Sequence, residues 1–550
     1  FTATATLNAG DQINGGNGTD TLKMYGTYAA ANMPVNITNV EVLDLVAAGD
    51  ANVDLSNWTK AATGISKVVV ENGALISGKT ITTTTGQSLS LSTGAAGVAT
   101  AGNVTWAASA TDTSLDLTLN GYQGGTGVTP VALTITGAAA TTQNIASTTA
   151  ANKVSTLTLG AQTNKVVVTG DKALTVSTDL VSSGGATVLK TVDASATTGG
   201  VNIALAATTN AAFAFTGGSG NDSVKFADDG LGALTAGSQL DGGAGTADKI
   251  GLMDTALSAA EYTALNAAKN FEVIGLNAAL TVDASKLTSI KTFSFDGNGV
   301  QSVTNMATGS TAWITGDHSN NITMASAAGV SDLALKVGSA TSTGLTVGGT
   351  LAIGQTTVAL ASNGDGTGTN TITTLGNADN SAYTITGSND LTITNALAGT
   401  AIGSKVDASA FTGKLTVTGS TKSDILIGGA GNDVINGGDI TGAGTVTPAV
   451  TENAAVTFSA LSNGQTVTLG SLTFTAGSAG ASAAQVAAFF AGQAANGTGA
   501  TIAAAGSFSG NLTGWTTGAV TGGKVLFTST TPNANVTNLV NAGTGTATAA

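Results

Sequence analysis

Residues 423–440, SDILIGGAGNDVINGGDI, constrain this chain more than any other stretch. In ninefold register they give two consecutive copies of x-D-x-U-x-G-G-x-G, where U is a large apolar residue. Asp424 and Asp433 hold the acidic position, Leu426 and Ile435 the apolar one, and Gly428-Gly429 and Gly437-Gly438 the turn. The second copy breaks off at Asp439. A short strand with one inward apolar side chain and a glycine turn that folds the chain back is the unit of a β-roll. Glycine alone tolerates the left-handed backbone such turns need. An aspartate at each ninth position is then expected to stack above the last, with carboxylates and turn carbonyls around a shared gap. Oxygen-only ligands suit a hard cation, and Ca²⁺ takes roughly six to eight of them.

The pattern recurs. In residues 10–24 Asp11 and Asp20 stand nine apart, Gly15-Gly16 and Gly18 form the turn, and Ile13 and Leu22 point inward. A third occurrence is split: residues 217–226 match the nonad at Asp222, with Phe213 where the preceding aspartate belongs, and residues 240–250 carry one extra residue before Asp248. These stretches resemble the calcium-binding nonapeptide repeat of RTX proteins. The resemblance implies Ca²⁺ as cofactor. Its candidate ligand turns are Asp11, Gly16, Gly18 and Asp20; Gly218, Gly220 and Asp222; Gly243, Gly245 and Asp248; and Asp424, Gly429, Gly431, Asp433 and Asp439.

Charge agrees with acidic, cation-seeking loops. The net charge is -14, 27 of the 32 acids are Asp, and all 18 cations are Lys. Aspartate is a poor helix and strand former but a good turn residue and metal ligand. Nucleic acid is not expected as a partner, because backbone binding needs clustered Lys and Arg. The lack of cysteine fits a secreted protein made rigid by metal rather than by disulfides. No apolar run of about 18 residues occurs, so no transmembrane segment is expected. The chain opens at Phe1 without a signal sequence and closes in Gly/Thr/Ala, and the expectation is a part of a longer product.

The text between the turns is duplicated. Asn39-Val40-Glu41-Val42 returns as Asn270-Phe271-Glu272-Val273, and Val53-Asp54-Leu55-Ser56 as Val282-Asp283-Ala284-Ser285. Val192-Asp193-Ala194-Ser195 precedes the Gly217 turn as Val406-Asp407-Ala408-Ser409 precedes Gly428. Short alternating segments fill each copy, such as LDLTL at 115–119 and KVVVT at 165–169, linked by Gly, Asn, Asp and Ser. Alternation argues for half-buried strands, and many similar short rungs argue for a parallel β-solenoid. A β-sandwich is the alternative. Ser258 and Glu261 form a capping box for one helix, with Tyr262 and Leu265 on its apolar face. From about 449 the text changes to strands, a helix capped by Ser482 and Gln485 with Val486, Phe489 and Phe490 on one face, and strands around Leu512 and at KVLFTST. The expected class is all-β: β-solenoid units over 1–216 and 217–440 bounded by calcium turns, then a small α+β module over 449–550, which is similar to modules of large bacterial surface proteins.

Three features that suggest chemistry do not carry it. Residues 73–80 satisfy G-x-x-x-x-G-K-[ST], but the β-branched run after Thr80 resists the helix whose amides would hold phosphate, so Lys79 is expected in a solenoid turn. His318, the single histidine, sits in the polar stretch GDHSNN and is expected on the surface. Asp228-Asp229 is a carboxylate pair of the kind glycosidases use, yet aspartate is everywhere in the turns and aromatics are scarce. No enzyme is expected.

Over residues 1–440 the nonads, the following NVEVLDL and the VDAS rungs resemble RTX-type surface-layer proteins of Gram-negative bacteria. The resemblance implies one-step export, calcium-dependent folding outside the cell, and an extracellular lattice of like subunits anchored to lipopolysaccharide. The anchoring domain and export signal of such proteins are not recognisable here. A large RTX adhesin and a filament or sheath subunit are the alternatives.

Overall fold

The computed structural model describes residues 2–4, 11–25, 36–46, 52–57, 64–71, 78–92, 103–123, 131–205, 209–235, 239–376, 380–399, 402–438, 451–500, 505–532 and 538–549. It is nearly all β, with 49% of the described residues in strands and 5% in helices. Two compact units result, Phe1–Gly442 and Ala443–Ala550.

The first unit is a parallel β-solenoid of about 15 turns. Strict alternation makes its strands: in Ser114–Asn120 the side chains of Leu115, Leu117 and Leu119 are buried, while Ser114 and Asp116 face out. Each rung stacks in register on the next, Leu117 against Leu89 on one side and Ile145 on the other. Burying one such side chain contributes about 1.5–3 kcal/mol, and only neighbouring rungs supply the cover, so no rung is stable alone. Some polar residues enter the interior with partners from neighbouring rungs. Asn152, fully buried, donates to Leu119 O at 3.0 Å and Ser147 Oγ at 2.8 Å, and Asn370 repeats the role toward Val337 O at 3.3 Å and Ser362 Oγ at 2.9 Å.

The coil places two strands in each turn, in different sheets. An 11-stranded sheet runs from Thr2–Thr4 to Gln239–Asp241, a second passes from Val53–Asp54 to Ile425–Ile427, and a third has eight strands from Thr281–Asp283 to Val434–Asn436. Register repeats between the duplicated stretches. Thr21, Val42 and Lys67 align in the first sheet as Lys249, Val273 and Thr292 align in the second. Val53, Ile81 and Trp106 align in the second as Val282, Val303 and Met324 align in the third. The two repeats thus exchange sheets, and the core is continuous through 216/217, where Ala214–Thr216 pairs with Gln239–Asp241.

Nonad neighbours do not stack on each other, contrary to the expectation from spacing. Ile425–Ile427 and Val434–Asn436 lie in different sheets, so Asp424 and Asp433 open successive strands on opposite sides of the coil. Nine residues make half a turn, and the residue above a given aspartate comes from about 20 residues away.

One helix, α1 (Ala259–Ala267), interrupts the ladder without breaking it, since Ile250 pairs with Ile274 across the insertion. Ser258 Oγ accepts from Glu261 N, and Glu261 Oε2 accepts from Ser258 N at 2.6 Å. Lys79–Thr82 is a strand, incompatible with a phosphate-binding helix start.

The second unit is antiparallel. Trp515–Thr521, Lys524–Pro532, Thr451–Phe458 and Ala547–Ala549 form one sheet, and Thr466–Leu469, Leu472–Ala476 and Gly506–Ser509 the other. Leu512 is buried in the connection between strands rather than within one. Helix α2 (Ala483–Phe490), capped by Ser482 and Gln485, turns Val486, Phe489 and Phe490 into a core with Phe458, Phe474 and Phe527.

Candidate metal sites in the glycine–aspartate turns

The turn at the head of each repeat is built from the same hydrogen bonds. Asn14 Oδ1 accepts from Gly16 N at 3.1 Å and Asn39 Nδ2 at 2.8 Å; Asp241 Oδ1 accepts from Gly243 N at 3.0 Å and Asn270 Nδ2 at 2.7 Å. Asn39 and Asn270 both take left-handed backbone, φ 52° and 54°, and so do Gly16 and Gly243, φ 95° and 96°. Asp20 N and Asp248 N each donate to a glutamate, Glu41 Oε2 and Glu272 Oε2, at 2.8 Å. The turn that ends each repeat is likewise shared. Asp222 accepts from Val201 N at 2.6 Å and Gly218 N at 2.7 Å; Asp433 accepts from Leu415 N at 2.8 Å and Gly429 N at 2.7 Å. Asp424 takes Ser404 N and Ser420 N, both at 2.6 Å.

These carboxylates therefore clamp neighbouring turns through backbone amides rather than facing an open gap. That also revises the reason for several glycines. Gly217 has no left-handed φ, but a Cβ there would stand 2.5 Å from Asp222 Oδ2, and one on Gly419 2.7 Å from Asp424 Oδ2.

Two turns retain acceptor capacity. Asp20 Oδ2 and Asp248 Oδ2, equivalent atoms of the two repeats, are buried without a hydrogen-bond partner. Burial, with the charges of Asp222 and Glu272 adding to it, pushes Asp248 up to about 6, although the amide of Asp222 opposes the shift. Burial raises Asp222 as well. A donor set of oxygens alone, with acids crowded around an unpartnered carboxylate oxygen, fits a hard cation. Asp20 with Glu41, and Asp248 with Glu272, are the acids these turns offer to a cation; both oxygens of Asp222 are taken by the amides of Val201 and Gly218, and among the described residues neither turn gathers three carboxylates. By contrast the acids Asp44 and Glu71 are compensated within the chain by Lys23 Nζ, at 2.8 and 3.0 Å.

Among the described residues one trio of carboxylates brings ligand atoms within 4.8 Å of each other: Asp228, Asp229 and Asp254. Asp254 is fully buried, accepts from Asp229 N at 2.8 Å, and is pushed up to about 7 by burial and by contact with Glu261. The sequence points to Asp228-Asp229 but not to Asp254 and Glu261, which only the α1 insertion brings near. Glu41 and Glu272 are legible as duplicated text, not as ligands. Gly18, Gly220, Gly245 and Gly431 lie in their expected turns, and Asp439 lies outside the described residues. His318 is buried, not on the surface. Its Nε2 lies 3.1 Å from Phe295 O, and burial lowers its pKa.

No protein-family model matches the chain, and no curated protein matches it significantly.

Proposed function

We propose that this chain is a calcium-stabilised, self-assembling structural protein of the bacterial cell surface, a subunit of an RTX-type surface layer, and not an enzyme. The observation that carries the reading is the recurrence, at the head of both repeats, of one hydrogen-bonded turn with a buried, unpartnered carboxylate oxygen beside a glutamate. Two such charges about 4 Å apart repel by roughly 4 kcal/mol at an effective dielectric near 20, and a divalent cation replaces that repulsion by coordination. Calcium scarcity inside the cell would keep the chain loose for export, and calcium outside would set it. Its partner is then itself, with lipopolysaccharide attachment left to other regions, and its location extracellular.

Electron microscopy of the purified protein with calcium tests this reading: a two-dimensional lattice that disperses in chelator is expected. Fibres would favour the filament or sheath subunit, a reading supported by the exposed strands at the end of the second repeat. Separate particles that adhere to a foreign surface would replace it by the adhesin. Mg²⁺ should substitute poorly, since it demands tight octahedral geometry and keeps its waters.

A further inference from the structure

Four acids meet where α1 approaches the ends of two rungs, outside the glycine–aspartate turns. Strands Ser223–Phe226 and Lys249–Leu252 are neighbours with Phe226 opposite Leu252, so continuing their register by two residues sets Asp228 beside Asp254. Ligand oxygens of Asp228, Asp229 and Asp254 lie within 4.8 Å of one another. The fourth acid comes from the helix. Glu261 touches the Asp254 carboxyl and packs beside Gly232, where a Cβ would stand 3.1 Å from Glu261 Cγ and 3.6 Å from the carbonyl oxygen of Asp229.

The chain does not satisfy the buried members of this group. Asp254 and Glu261 are both fully buried. One oxygen of each accepts from an amide, Asp254 Oδ1 from Asp229 N at 2.8 Å and Glu261 Oε2 from Ser258 N at 2.6 Å. Asp254 Oδ2 and Glu261 Oε1 have no donor. Ionised carboxylates only accept hydrogen bonds, so two in contact cannot satisfy each other. Among the described residues no lysine pairs with any of the four. A proton shared between Asp254 and Glu261 would serve those two alone and gives no reason for Asp228 and Asp229 to converge on them. A cation serves all four. Asp228 and Asp229 are exposed, which gives an ion a way in from solvent and room for water. Carboxylates drawn from a turn, a rung end and a helix suit the irregular oxygen shell of Ca²⁺ better than the strict octahedron of Mg²⁺.

We infer that Asp228, Asp229, Asp254 and Glu261 hold one Ca²⁺, with water completing its shell on the exposed side, and that the ion fastens α1 to the two rungs. The site belongs to the second repeat alone. Counting from Asp20 and from Asp248, Gly26 stands where Asp254 does, and residues 26–38 contain no acid. It is therefore separate from the turns that the repeats share, and it stands whether or not those turns bind calcium.

Equilibrium dialysis of the full-length chain against calcium, with hydrogen exchange of residues 259–267, tests it. Asp254→Asn, which keeps an acceptor for Asp229 N, should bind one calcium fewer per chain than the natural protein. Asp228→Asn, at an exposed position where the core is spared, should weaken the same ion about tenfold or more. Calcium should slow exchange in α1 of the natural protein and leave it unchanged in Asp254→Asn. In Asp433→Ala the response of α1 should persist, because that change lies in a glycine–aspartate turn. Undiminished calcium binding by both Asp254→Asn and Asp228→Asn would overturn the site and leave the shared proton in its place. Loss of the α1 response in Asp433→Ala would also overturn it, since the helix would then be reporting on the turns. Equal competition by Mg²⁺ for this ion would overturn the choice of calcium.

Discussion

Asp248 and Asp254 hold protons at pH values where an unfolded chain has lost them, because burial raises both from 3.8, to about 6 and about 7. The folded state then binds more protons than the unfolded one in that interval, so in chelator stability should be greatest near pH 4 and fall as pH rises through about 7. Calcium should reverse the trend, since it needs the ionised forms. Thermal melts from pH 4 to 8, with and without the ion, measure both slopes, and Asp254→Asn should flatten the upper part of the chelated profile. A second contrast lies among glycines. Gly217→Ala forces a methyl against Asp222 and the neighbouring backbone and should cost about 1–3 kcal/mol, while Gly437→Ala meets nothing within 4 Å and should be nearly neutral in denaturant titrations. The aspartate and glycine positions were legible in the sequence, but the reason for them was only half legible. Spacing reveals that a turn is there, whereas Gly217 is needed because the carbonyl of Gly242, from the next rung, would stand 2.0 Å from its Cβ. His318 misled for the same cause: its polar neighbours say loop, and the Phe295 carbonyl that meets its Nε2 lies one coil away.

At the scale of elements, alternation and capping were enough to find strands such as Ser114–Asn120 and Lys165–Gly170 and the helices α1 and α2. Leu115, Leu117 and Leu119 announce their strand, and Ser258 with Glu261, and Ser482 with Gln485, announce α1 and α2. Which sheet a strand joins was not legible, since every rung carries the same alternation and assignment follows from turn lengths. That is why Asp424 and Asp433, adjacent in the repeat, were expected to stack and instead open strands in different sheets. Because Ile250 pairs with Ile274 without help from α1, the helix is an appendage to the ladder. Ser258→Ala should therefore cost about 1 kcal/mol of cap energy and loosen the approach of Glu261 to Asp254, leaving the strand content in circular dichroism unchanged. Phe489→Ala, by contrast, empties the core of the second unit and should cost about 3–5 kcal/mol there, lowering the melting of that unit alone.

Along the first unit the solenoid is quasi-one-dimensional, so a turn that bound metal would stabilise its neighbours and the effect would accumulate along the axis. A ligand present at about 100 times its dissociation constant adds about 2.7 kcal/mol per site to a folded state. Removing calcium should thus lower the melting temperature, open the turns to protease and disperse assemblies together; unchanged melting in excess chelator would leave the turns purely steric. The exchange of sheets between repeats has a further effect. Strands that occupy one wall of the coil in the first repeat, such as Val42–Val46, have their equivalents, here Val273–Leu276, on the other wall in the second. The chain is thus ambidextrous: any patch that both repeats inherit faces left once and right once. A surface feature inherited by both repeats is therefore presented on two different walls of one molecule.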